Sequence, residues 1–113
     1  MDIVNLKIEA NKELVRLWIL DGWNNNRNKE VVDKVFAQDW VDGNPTFPDQ
    51  PKGIEGAMYF VDQYRSALPD IHFNITHLIA DTEYVTFRFE ATATHKGTLM
   101  GIPATGKRVT VTG

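Results

Sequence analysis

The stretch YVTFRFEATATHKG, residues 84–97, alternates with a period of two. In an extended chain Val85, Phe87, Phe89, Ala91, Ala93 and His95 fall on one face. Thr86, Arg88, Glu90, Thr92 and Thr94 fall on the other, the pattern of a strand with one face buried. The segment before it, IHFNITHLI (71–79), repeats the pattern: Ile71, Phe73, Ile75, His77 and Ile79 oppose His72, Asn74 and Thr76. A turn near Asp81–Glu83 joins the two into a hairpin whose register sets Asn74 near Glu90 and Thr76 near Arg88.

Upstream the period becomes helical. In EANKELVRLWILDGW, Leu14, Leu17, Trp18 and Asp21/Gly22 follow the 3.6-residue repeat, and the polar run NNNRN closes the helix. Asn28 is placed to cap a second helix, KEVVDKVFAQ, with Val32, Val35 and Phe36 on one face. DWVDGNP reads as a short extended stretch, followed by a loop holding Pro45, Pro48 and Pro51. Ile54, Ala57, Met58, Val61, Tyr64 and Leu68 define a third helix that Pro69 stops. Helices first and antiparallel strands afterwards make an α+β domain, with the helices covering the apolar hairpin face.

Downstream, GIPATGKR (101–108) matches G-x-x-x-x-G-K, most of a phosphate-binding P-loop. Arg108 stands where the Mg²⁺-holding Ser or Thr belongs, and Pro103 has no N–H for a phosphate. The β-branched run VTVT (109–112) follows where a helix is required. The stretch is therefore a loop between antiparallel strands.

One domain of 113 residues encloses a core but not two. A net charge of −3 gives no basic footprint for nucleic acid or an anionic membrane, and no apolar run reaches spanning length. Zero cysteines exclude disulfides and thiol chemistry. With no apolar leader at MDIVNLKIEANKE, the expected location is the cytoplasm. Three histidines raise a metal site, which geometry opposes. His72 and His77 point to opposite faces, and His77 and His95 lie about eight residues, roughly 26 Å, apart along one face. His95 ends the apolar face, as a core histidine or a group at a pocket's edge. Arg88 and Glu90 form an exposed polar cluster or, alternatively, a catalytic pair. The aromatic set Trp18, Trp23, Trp40, Phe60, Tyr64, Phe87 and Phe89 either fills a core or lines a small-molecule cavity.

Four segments, NKELVRLWILDGWN (11–24), VVDKVFAQDWVDGNP (31–45), ALPDIHFNI (67–75) and FRFEATATHKGTLMGIPATGKRV (87–109), resemble the SnoaL-like polyketide cyclase family of the nuclear transport factor 2-like superfamily. The resemblance implies a cone of three helices on a strongly curved antiparallel sheet, enclosing an apolar pocket. It also implies intramolecular aldol condensation without metal or cofactor, which needs a base, an enolate-stabilising donor and a dry pocket. On this basis Trp18, Trp40, Phe60, Tyr64, Phe87 and Phe89 bind a small apolar carbonyl compound, and His95 and Asn44 orient it or take part in catalysis. Asn44 occupies the place before proline where the related ketosteroid isomerases carry an Asp base, and an amide accepts no proton at neutral pH. Relatives continue for one or two strands where this sequence stops at Gly113, so an unpaired final strand and a homodimer are expected. The alternatives are a non-catalytic hydrophobic-ligand module and a dimerisation or scaffold domain.

Overall fold

The computed structural model describes residues 2–113. Helix α1 (Ile3–Arg16) starts at Asp2, whose carboxylate accepts the Val4 N–H at 2.9 Å. It continues without a break as a π-helical segment, Leu17–Trp23. Helices α2 (Asn28–Val35) and α3 (Ile54–Ala67) follow, with irregular chain between them where DWVDGNP was expected to be extended. Strands β1 (His72–Ala80), β2 (Val85–Thr94) and β3 (Arg108–Thr112) form one antiparallel sheet in the order β1-β2-β3. Among the described residues no helix is long and apolar enough to cross a membrane.

The expected hairpin register holds at Asn74↔Glu90, and Phe73 pairs with Ala91. A bulge between Ile75 and His77 then adds a residue to β1, so His77 pairs with Arg88 and Leu78 with Phe87. One inserted residue reverses which face the rest of a strand presents. This corrects the apolar face read from the sequence. Leu78 turns inward beside Phe87, His77 lies outside, and Ile79 is 66% exposed. His77 and His95 consequently lie on opposite faces.

The sheet curls only weakly, less than the cone implied by the resemblance. Twist accumulates strand by strand, and three strands accumulate little. On its inner face Phe73, Ala91 and Ala93 meet Ile19, Trp23, Val61, Ala67, Leu68 and Ile71 in one core. The α3 terminus is pinned to the end of β2, because the Lys96 and Gly97 N–H groups both donate to the Ala67 carbonyl. A Cβ on Gly97 would lie 2.6 Å from the Ser66 carbonyl oxygen, so only glycine permits this approach. Between β2 and β3 the chain makes a second small hairpin, with Leu99 and Ile102 exchanging both backbone hydrogen bonds. GIPATGKR is thus an inter-strand loop.

Candidate functional site

The π turn sets one wall of a cavity. Its hydrogen bonds run from residue i to i+5, as Asn24 N–H to the Ile19 carbonyl shows. The wider turn brings Trp18 and Trp23, five residues apart, toward the same side as Ile19. Phe60 and Tyr64, one turn apart on α3 with ring centroids 4.6 Å apart, supply the second wall. Ile71, Phe73, Phe87, Phe89, Ala91 and Val111 form the floor from the inner face of the sheet. These side chains enclose a cavity of about 240 Å³.

The aromatic rings pack against one another around it, Trp23 and Phe60 edge to face and the others tilted. Trp23 lies 5.1 Å from Phe73 and 6.3 Å from Phe60, and Phe73 lies 5.1 Å from Phe89. Such tilted pairs hold the walls in place. Arg65 braces Trp23 from α3, with its guanidinium 5.6 Å from the ring and a hydrogen bond to the Trp23 carbonyl. Space remains because the residue following Phe87 and Phe89 on the inner face is Ala91, 1% exposed and too small to fill the gap.

Among the described residues, the walls carry no carboxylate and no imidazole. Their polar atoms are the Tyr64 hydroxyl and the indole N–H groups of Trp18 and Trp23. Burial pushes the Tyr64 phenol above its ordinary pKa. The cavity is therefore suited to a flat apolar body with one or two acceptor oxygens.

Five of the six expected binding residues, Trp18, Phe60, Tyr64, Phe87 and Phe89, line this space. Trp40 does not. It lines a second hollow, of about 180 Å³, with Phe36, Asp42 and Ala57, and shares Trp18 and Phe60 with the first. His95 is buried at the end of β2, outside the cavity walls, with Nδ1 3.0 Å from Thr105 Oγ1 and Nε2 without a partner. Asn44 is exposed in the loop after α2, its backbone N–H donating to Asp42 Oδ1 at 2.9 Å. Arg88 and Glu90 form a 3.2 Å ion pair on the outer sheet face, where Arg88 also reaches Thr76. Among the described residues no group of three His, Cys, Asp or Glu is arranged to hold a metal ion.

The wall residues outside those six are Ile19, Trp23, Ile71, Phe73, Ala91 and Val111, of which Trp23 belongs to the wider aromatic set read from the sequence. Strand parity already marks Phe73 and Ala91 as inward. The π turn that recruits Trp23 has no such signal.

A SnoaL-like polyketide cyclase family model matches residues 13–113. Among curated proteins none matches the sequence. Among solved structures, a protein assigned as a polyketide cyclase from Acidithiobacillus ferrooxidans is 30% identical, with a TM-score of 0.72 over 90% of this chain and 73% of its own. A protein assigned as a SnoaL-like polyketide cyclase from Jannaschia sp. CCS1 has a TM-score of 0.79 at 18% identity, over 99% of this chain and 76% of its own. AclR from Streptomyces galilaeus, assigned as a hydroxylase, has a TM-score of 0.72 at 23% identity, over 93% and 75%. The last two support the fold alone. With the family model matching nearly the whole length, the chain belongs to the SnoaL-like polyketide cyclase family.

Proposed function

We propose that the protein takes a flat, largely apolar carbonyl compound into the aromatic cavity and closes a ring in it by acid/base chemistry of the polyketide-cyclase kind. A C–H proton beside one carbonyl leaves to a base. The resulting enolate carbon bonds to a second carbonyl carbon of the same molecule, and the alkoxide formed there takes a proton back. The product is an isomer of the substrate. The cavity itself carries the proposal: aromatic walls to hold a planar chain folded, and a phenol to hydrogen-bond a developing oxyanion. Its volume of about 240 Å³ is below the ~300 Å³ at which small-molecule sites usually begin, so the buried part of the ligand is compact.

A second reading, a hydrophobic-ligand carrier without chemistry, is favoured by the absence of a proton acceptor from the inner walls. Both readings require the cavity to bind. Titration with 2-tetralone, a flat bicyclic ketone, should quench tryptophan fluorescence saturably. Tyr64→Phe removes only the hydroxyl and should weaken binding roughly 5- to 10-fold, the worth of about one neutral hydrogen bond. Quenching that never saturates, or that is unchanged in the variant, contradicts this mode of binding.

A further inference from the structure

The inner cavity lacks a base, but the hollow beside it does not. Trp18 and Phe60 line both spaces, and from Trp18 a run of edge-packed rings leads outward. Trp18 lies 4.8 Å from Phe36, and Phe36 lies 4.7 Å from Trp40. Among the described residues that line this aromatic hollow, one is ionisable, Asp42. The carboxylate is fixed by two donors. The Asn44 backbone N–H reaches Oδ1 at 2.9 Å, and the Gln50 amide reaches Oδ2 at 2.8 Å. A carboxylate offers about four acceptor positions, so two remain for an incoming proton. Asp42 is half-buried and lies between this hollow and a wider outer one lined by Trp40, Pro45, Gln50 and Lys52.

We infer that Asp42 is the general base of this site, held by Gln50 and the Asn44 backbone, and that the substrate occupies both spaces. Its compact planar part sits in the inner cavity, and the carbon to be deprotonated sits in the outer hollow against Asp42. The substrate class is a ketone with an acidic C–H next to its carbonyl and an aromatic or fused-ring body. In the step, the C–H bond breaks and an Asp42 oxygen takes the proton. The C–H electron pair becomes the enolate double bond, and the carbonyl oxygen takes the negative charge. Return of a solvent-derived proton from Asp42 to carbon completes an exchange cycle without external reactants.

This assignment rests on the binding proposal, and one experiment separates the two. Exchange of the C1 hydrogens of 2-tetralone in D₂O is followed by NMR beside fluorescence titration of the same samples, for the parent, Asp42→Asn and Asp42→Glu. The expected result is exchange above buffer in the parent and at least a 100-fold loss in Asp42→Asn. Asp42→Glu should restore part of the rate, with Kd changed less than 3-fold in both variants. Tight binding with no exchange in the parent, or with exchange undiminished in Asp42→Asn, overturns Asp42 as base and leaves the cavity as a binding site. Absence of saturable binding in the parent overturns both. Loss of binding together with exchange in Asp42→Asn makes Asp42 a structural residue of the loop and also overturns the assignment.

Discussion

Asp70 shows how much one side chain can tie together at the end of α3. It accepts the Thr94 backbone N–H at 2.7 Å, the Thr94 hydroxyl at 2.8 Å and an Arg108 guanidinium N–H at 2.8 Å. The α3–β1 junction is thereby joined to β2 and β3. Those Thr94 donors, with Arg108 adding a weaker attraction, hold the carboxyl below its ordinary pKa. Asp81 is lowered as well, because its carboxylate accepts the Tyr84 and Glu83 N–H groups that form the hairpin turn. A depressed folded-state pKa contributes stability that is present above the unfolded value, about 3.9 for Asp, and is lost as pH falls through the lower folded value. The melting temperature should therefore decline as pH falls below about 4. Asp70→Asn should melt lower at neutral pH and show a shallower acid decline. Parallel acid limbs in the two proteins would show that Asp70 makes no such contribution. Asn28 shows where residue-level reading misleads. Its composition suits a helix cap, yet it is the first residue inside α2, 3% exposed, with both amide atoms unpartnered among the described residues. Capping preference concerns local backbone geometry and takes no account of what packs above it.

Among the elements, β2 was legible because period-two alternation over ten residues is set by burial on one side. The bulge in β1 was not, since an extra residue leaves no compositional mark and Ile79 still looks like a core position. The π turn was hidden for the same reason. LWILDGW scores as ordinary amphipathic helix, and only the packed molecule selects the wider bond pattern that aligns Trp18 with Trp23. The GIPATGKR loop was read correctly from Pro103, Arg108 and the strand that follows. Its tip is strained: Met100 and Gly101, the central pair between Leu99 and Ile102, both have positive φ, 50° and 80°. This two-residue turn type favours Asn-Gly, and a methionine side chain there is 55% exposed and gains little by packing. Met100→Asn should stabilise the protein by about 0.5–1 kcal/mol, whereas Gly101→Ala should destabilise it by about 1 kcal/mol. Thermal melts of both variants check this. A lower melting temperature for Met100→Asn would mean that the exposed side chain makes a contribution the turn geometry does not reveal.

Across the whole molecule, the helices and sheet meet in a core that is complete at one end and hollow at the other. Ala67, Leu68 and Ala93 are buried near the α3 terminus, while the space above Ala91 is framed by rings and left open. Composition indicated the aromatic residues but not whether they touch. That depends on side-chain volumes summed over five elements, and on Ala91 being small where Phe87 and Phe89 precede it on the inner face. Apolar voids of this size are costly in a core and stay dry, but they accept apolar guests of matching shape. The proposed function makes this space a ligand site. It is tested most directly by melting the parent and Ala91→Met, which pushes a side chain into the cavity, with and without 2-tetralone. A ligand at about 100 times its Kd adds about 2.7 kcal/mol to the native state, a rise on the order of 10 °C for a domain of this size. That rise is expected in the parent and is lost in Ala91→Met, whose own melting temperature stays close to the parent's. An equal rise in both proteins, or none in the parent, would contradict it.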